Sequence, residues 1–386
     1  LMEEYLYDLR ALVRFISLAF EEDIPASLLP QIPHSNRPYK GTQHSRIPYI
    51  RASVTSWNEN HIFAATDSEE DPFIIIDYMK GGCNGDLSYL HELLTENLPI
   101  NLLDVHIDEE NHYIPQLIII HPDYLIDISS LAACFREHGR HPLNFFLNKV
   151  KPKANTAPIL MGNLASQFLD DYINEHSEEP VTYARTIKKF FASSALEFCT
   201  CPLPANFHEQ AQAQMVNIRS FVQDILPHNI HAFDKHNTLL EASFICEKLG
   251  LQGRVDMLQK DFKVLIEQKS GKRDEFNRKH KEDHFVQMML YQGVLMYNFG
   301  KETNDLQTFL LYSKYTDGLM IEHFAETLFR ESMRLRNYIV ANEISFGEGA
   351  ITPVVEQLNT DLLNERQVCN RLWNDFQEPQ LQETIN

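Results

Sequence analysis

The chain has 386 residues, with 34 Lys and Arg against 54 Asp and Glu, a formal net charge of −20. Hydrophobic residues make up 44% and charged residues 23%, a globular balance that excludes a disordered chain and leaves room for two or three domains. The acidity argues against a protein that coats nucleic acid with its whole surface, while leaving room for a local basic groove.

The longest apolar runs, such as residues 73–76 and 117–120, are only a few residues long and fall far short of the roughly 20 that cross a bilayer, so no membrane association is expected. The start, Leu1-Met2-Glu3-Glu4, is acidic and does not read as a secretory leader. Six irregularly spaced cysteines with no C-x-x-C pair point to a reducing compartment and a cytoplasmic location, bacterial cytosol or nucleoid, and away from a structural zinc.

Residues 3–21 place Leu6, Leu9, Leu12, Val13, Ile16 and Phe20 on one helical stripe. Pro25, Pro30, Pro33 and Pro38 make the following stretch a loop or extended arm. Residues 47–128 read as short strands at 50–54, 61–65, 72–77, 115–121 and 123–127, spaced as in a small β-barrel or sandwich, with short helices at 87–94 and 98–103. Helical periodicity then covers 131–146, 160–174, 184–198 and 208–225. A strand-rich block at 239–270 is followed by a helix at 281–299, a strand at 308–312 and helices at 322–342 and 353–376. The polar end of the chain fits a fragment of a longer one.

The chemistry concentrates at residues 250–291. Gly250 to Leu258 and Phe262 to Lys272 are two β-like runs around a turn at 259–261, the pattern of a hairpin. Alternation puts Leu265, Glu267 and Lys269 on one face of the second strand, and the first strand supplies Asp256. Two carboxylates can hold a hard divalent cation, with the Gln268 carbonyl as a further ligand. Such a cation lowers the pKa of its water and neutralises a scissile phosphate, and a nearby Lys269 can contact either. His284, Gln287 and Tyr291 fall on one face of the next helix, where they could position the phosphate backbone or Lys269. Between them Lys269, Lys272, Arg273, Arg278, Lys279 and Lys281 stand against only Asp274 and Glu275, a local reversal of the chain's charge that suits a polyanion.

The ordered set Gly253 to Asp256, Glu267-x-Lys269 and Gln287 to Tyr291 resembles the G-x-x-D, E-x-K and Q-x-x-x-Y motifs of RecB-like PD-(D/E)XK nucleases. Within them it is most similar to the nuclease domain of the replication nuclease–helicase that trims flaps and to the CRISPR-adaptation exonuclease. The likeness covers about residues 122–377: Pro122 to Ile128 with Cys134, Met161 to Ser166 as a G-x-x-x-H helix, Glu241, Arg336-Asn337 and Cys369. It implies an α/β fold with a restriction-endonuclease-like core, a mixed sheet flanked by helices, over residues 122–386. Residues 1–121 would form an N-terminal helix and an OB-like barrel. The implied activity is Mg²⁺- or Mn²⁺-dependent hydrolysis of single-stranded or flapped DNA in replication or repair, with a helicase in cis or in trans. Asp256 and Glu267 would hold the metal, Lys269, Gln287 and Tyr291 would act in catalysis, and Lys272, Arg273, Arg278, Lys279 and Lys281 would contact DNA.

Two positions depart from the family pattern. Ser166 stands where the family has a metal-binding His; Asp170, one turn on, could substitute, and with Glu241 and His284 it would border the site. Relatives with a [4Fe–4S] cluster need four cysteines, and nothing resembling C-x-x-C follows Cys369, so no cluster is expected and Cys134 and Cys369 read as packing residues. Cys199 and Cys201 read as incidental.

Plainer readings stand beside these. Asp256, Glu267 and Lys269 could form a structural ion-pair set, the 284–291 stripe a solvated helix face, and the basic run a solvated loop. His280 and His284 have the i, i+4 spacing of a zinc helix, but Lys281 stands where H-E-x-x-H requires Glu, and no P-loop is present. Two rival functions follow: a nuclease fold without catalysis that serves as a DNA-binding or assembly module, and an unrelated binding protein with chance motifs.

Overall fold

A computed structural model describes residues 47–79, 86–136, 140–150, 155–175, 180–230 and 233–347. The expected helices at 3–21 and 353–376, the proline-rich arm and Cys369 lie outside the described residues.

The first sheet comprises β1 (Ile47–Trp57), β2 (His61–Thr66), β3 (Phe73–Asp77), β4 (Pro99–Ile107), β5 (Tyr113–Ile114) and β6 (Leu117–Ile120). Its strands follow the order β1-β2-β3-β5-β4, and β4 pairs back onto β1, closing a five-stranded barrel; β6 extends it on the far side of β4. β1 serves both neighbours, pairing Ile47 to Ser53 with β4 and Ala52 to Trp57 with β2 across a bulge between Val54 and Ser56. Closure removes the exposed edges that a small sheet would otherwise present. The interior is filled by Val54, Ile62, Ile76, Ile100 and Leu102, as expected for so narrow a barrel.

The expected helix at 98–103 is instead strand β4. Ile100 and Leu102 face the barrel core, whereas Leu103 belongs to the core of the following sheet. β6 divides in the same way, with Ile118 and Ile120 inward and Leu117 and Ile119 outward. A strand buried on both faces loses the alternation that marks strands in a sequence, and a short apolar run then also suits a helix.

The second sheet holds β7 (Ile126–Asp127), β8 (Thr238–Cys246), β9 (Leu251–Gln259), β10 (Val264–Lys269), β11 (Gln307–Tyr312) and β12 (Leu319–Glu322). β10 and β11 are parallel, β9 and β10 antiparallel, and β9 also pairs with β8 along its length and with β7 at Leu251 and Gln252. The sheet is therefore mixed. β5 and β12 are short strands that periodicity did not mark, and of residues 123–127 only the last two are extended.

Nine α-helices pack around this sheet or link its parts: α1 (Ile128–Ala133), α2 (Pro142–Val150), α3 (Ala157–Ile173), α4 (Tyr183–Ser193), α5 (Ala195–Thr200), α6 (Phe207–Ser220), α7 (Leu226–Asn229), α8 (Glu282–Phe299) and α9 (Glu326–Gly347), counted among the described residues. A π-helical turn, Phe221–Ile225, joins α6 to α7. The expected helix at 131–146 is two helices, α1 and α2, separated by Arg140 at a φ of 35°.

The strand residues alternate between two cores. Leu258, Leu265, Leu310 and Tyr312 face α8 and α9, while Met257, Ile266, Phe309 and Leu311 face α3 and α6. Helices thus cover both faces of the sheet. Arg336 and Asn337 on α9 tie this layer to the barrel: Arg336 donates to the carbonyls of Ile120, His121 and Tyr124, and Asn337 Nδ2 donates to the carbonyl of Ile118 (2.8 Å) and to Tyr89 Oη. No helix among the described residues is long and apolar enough to cross a membrane.

Candidate active site

β9 and β10 form the hairpin read from the sequence, but their ladder is short. It pairs Leu258 with Leu265 and Met257 with Ile266, and further along the side chains take over. The Gln268 amide donates to Asp256 Oδ2 (2.7 Å). At Arg254 the free edge of β9 is closed by Tyr291, whose Oη donates to the carbonyl (2.6 Å) and accepts from the amide (3.2 Å). Backbone groups need partners, and here the side chains of Asp256 and Tyr291 supply them.

Gly253 makes the Tyr291 contact possible. A Cβ at that position would lie 2.8 Å from Tyr291 Cε1 and 3.1 Å from Oη, closer than atoms pack.

Glu267 and Lys269 lie on the face of β10 turned toward α8. Lys269 Nζ donates to Glu267 Oε1 (2.9 Å) and Gln287 Oε1 (2.7 Å); Gln287 Nε2 donates to Glu267 Oε1 (2.7 Å) and Ser129 Oγ (3.2 Å). The three side chains close a triangle. Glu267 is 2% exposed, and its Oε2 is buried without a hydrogen-bond partner. Burial, reinforced by the neighbouring charge of Glu267, pushes the Asp256 carboxyl up to about 8. Burial alone would lower Lys269, but Glu267 and Asp256 outweigh it and hold the amine charged.

His284 turns elsewhere. Its Nδ1 meets Tyr312 Oη at 2.9 Å, and burial lowers it to about 4, so the ring is neutral. His280 Nδ1 meets Glu322 at 2.6 Å. The two histidines with zinc-helix spacing thus have separate partners.

Glu241 sits on β8 between Leu240, paired with Met257, and Ala242, paired with Val255, so it lies opposite Asp256. Its φ of 50° is a left-handed conformation that costs a non-glycine residue about 1–3 kcal/mol. Its carboxylate pairs with Arg254 Nη1 at 3.1 Å. Asp170 on α3 is raised to about 6 by burial and by Glu241. Ser166 Oγ donates to the carbonyl of Gly162 within its own helix (3.3 Å), and Gly162 faces Ser270 just past β10.

Arg273 does not lie on the surface. Expected among nucleic-acid contacts, it is 8% exposed, donates to both carboxylate oxygens of Asp317 (3.0 and 3.1 Å) and stacks 4.5 Å over Tyr315. It braces the loop from within. Lys272, Arg278, Lys279 and Lys281 are exposed. Among them stands Phe276, 94% exposed, which the sequence reading passed over. The loop beneath it is held by Asp274, whose Oδ1 accepts from the Phe276 and Asn277 amides. Ser129 was also missed: its partner Gln287 is 158 residues away and no local pattern marks it. Cys134 and Cys201 are buried and Cys199 is exposed.

The family model for DNA replication factor Dna2 matches residues 48–260, more than half of the chain. The chain belongs to that family. The matched residues of this Dna2-family chain include the barrel, Ser166, Asp170, Glu241 and Asp256; Glu267, Lys269 and the α8 residues lie beyond them. It is thereby placed with the nucleases of DNA replication. Among solved structures, a protein from Eubacterium rectale described provisionally as an exonuclease is 12% identical, covering 59% of this chain and 83% of its own, with a TM-score of 0.36. That likeness carries no argument about the site. No curated protein matches the chain.

The donor set fits a hard divalent cation. It offers carboxylate oxygens rather than thiolate or imidazole, and a buried carboxylate oxygen without a partner beside a second carboxyl that resists ionisation is an arrangement a cation would relieve.

Proposed function

We propose that this chain is a metal-dependent nuclease with a PD-(D/E)XK core that hydrolyses phosphodiester bonds of single-stranded or flapped DNA. The observation that carries the reading is the convergence of Asp256, Glu267 and Lys269 from two adjoining strands, with Glu267 Oε2 left without a partner. Asp256 and Glu267, with the Gln268 carbonyl, would hold Mg²⁺ or Mn²⁺. Bound there, the ion would activate a water and neutralise charge on the scissile phosphate.

The protein's own groups do the rest. Lys269, kept charged chiefly by Glu267, faces the phosphate or the attacking water. Gln287 holds the amine and Glu267 in fixed relation, and Tyr291 fixes the backbone of β9 two residues before Asp256. Lys272, Arg278, Lys279 and Lys281 supply backbone contacts, and the ring of Phe276 offers a face on which an unpaired base can stack. The barrel is OB-like in its closed five-strand order, a scaffold suited to single strands. A helicase, in cis or in trans, would deliver the strand.

The test is cleavage of single-stranded DNA with Mn²⁺. Asp256→Ala and Lys269→Ala should abolish it while circular dichroism stays native; undiminished cleavage by either variant refutes the assignment. Ser166 favours a second reading, a DNA-binding module with weakened catalysis, because its hydroxyl turns to its own helix rather than to the site. Calorimetric titration with Mn²⁺ separates the two, since absence of saturable binding supports the module.

A further inference from the structure

A second cluster of metal-ligating side chains lies on the barrel. His61 begins β2, directly across from Asp77 at the end of β3, and His112 precedes β5, which pairs with β3 at Tyr113. One ligand atom from each of His61, Asp77 and His112 falls within 4.8 Å of the others, and the two imidazole centroids are 5.0 Å apart. His61 Nε2 lies 4.0 Å from Asp77 Oδ2. Asp77 is almost wholly buried, and its Oδ1 is fixed by the Met79 amide (3.1 Å).

His112 is embedded among acidic groups. Its Nδ1 is buried, has no hydrogen-bond partner, and lies 3.5 Å from both Asp108 Oδ2 and Glu110 Oε2. The turn that carries them is preorganised: Asp108 Oδ1 accepts from the amides of Glu110 (3.0 Å) and His112 (2.8 Å). Asp77 and Asp108 each have one oxygen held by backbone amides and the other within 4.0 Å of a histidine nitrogen. Outer carboxylates of this kind steady histidine ligands in metal sites.

We propose that His61, Asp77 and His112 bind a zinc-class divalent ion, with Asp108 and Glu110 orienting His112. The imidazoles select the ion: a site with two nitrogen donors prefers Zn²⁺ or Co²⁺ to Mg²⁺, the reverse of the all-oxygen set at Asp256 and Glu267. Ligand atoms around tetrahedral zinc stand about 3.4 Å apart, given bonds of about 2.0–2.2 Å. The ligand atoms here lie within 4.8 Å of one another, so the spread exceeds that spacing by at most about 1.4 Å. The bound ion would cross-link β2 and β3 to the segment leading into β5.

Calorimetric titration of the metal-stripped full chain with Zn²⁺ tests this. One saturable event is expected that survives millimolar Mg²⁺ and the Asp256→Asn substitution, and that weakens at least about tenfold in His61→Ala and in His112→Ala. Co²⁺ added to the unmodified protein should show the visible absorption of histidine ligation, so the proposal stays testable if a variant fails to fold. Absence of saturable Zn²⁺ binding, unchanged affinity in both histidine variants, or complete displacement by Mg²⁺ overturns it. None of these outcomes bears on nuclease activity, whose failure would be read separately in the cleavage assay.

Discussion

Tyr291 on α8 closes both backbone groups of Arg254 on β9, with its hydroxyl 2.6 Å from the carbonyl and 3.2 Å from the amide. One phenol thereby locks the helix that carries Gln287 to the strand that carries Asp256.

Tyr291→Phe should therefore destabilise the protein by about 1–3 kcal/mol, the cost of losing two hydrogen bonds, and slow cleavage as well. Gly253→Ala should act in the same direction, because its new methyl occupies the space of the Tyr291 ring. Urea unfolding and a cleavage assay on each variant check this; wild-type stability in Tyr291→Phe would show that the contact contributes nothing.

Asp256 links stability to pH. Its folded-state carboxyl is pushed up to about 8, from an ordinary value of 3.8, so the folded state holds the proton more tightly than the unfolded state. Stability of the metal-free protein should be greatest at low pH as far as this group is concerned, and should fall as pH rises through about 4 to 8. Asp256→Asn should flatten that part of the profile, and Mn²⁺ should restore stability above pH 7 by taking the proton's place. Thermal unfolding across pH, with and without Mn²⁺, measures it; identical profiles for the wild type and Asp256→Asn would exclude the linkage.

Arg336 is fully buried and joins α9 to the end of β6 and the turns that follow it. Gly250, at a φ of 61°, lies so close that a Cβ there would be 2.2 Å from Arg336 Nη2. Arg336→Ala removes the donor to the carbonyls of Ile120, His121 and Tyr124 and opens a cavity where a buried side chain stood, so a loss of about 3 kcal/mol or more is expected. Gly250→Ala should also destabilise. Denaturant midpoints give the answer, and a shift below about 0.5 kcal/mol would place the joint elsewhere.

Phe276 should matter for DNA and not for folding. Phe276→Ala is expected to weaken single-stranded DNA binding by about 1–3 kcal/mol, the range for one stacked base, with no change in thermal midpoint. Arg273→Ala should do the opposite: it removes a brace to Asp317 and loosens the loop. Fluorescence anisotropy with a labelled oligonucleotide, set beside thermal unfolding, separates the two residues; equal binding by Phe276→Ala removes the ring from the interface.

The hairpin of β9 and β10, the helix after it, and the order of Asp256, Glu267, Lys269, Gln287 and Tyr291 were legible from the sequence, because alternation and helical periodicity are local and the motif residues lie within 36 positions of one another. The basic run was legible as charge, but charge alone does not reveal burial: Arg273 turns inward to Asp317, 44 residues away. The same limit applied to 98–103, where burial by two cores erased the strand pattern, and to Ser129, whose role depends on a helix far along the chain. Tertiary structure alone decided that the barrel closes through β1 and β4, that the Gln268 amide meets Asp256, and that Tyr291 satisfies Arg254. Each is a contact between groups whose distance in space bears no fixed relation to their distance along the chain, so no local pattern encodes it.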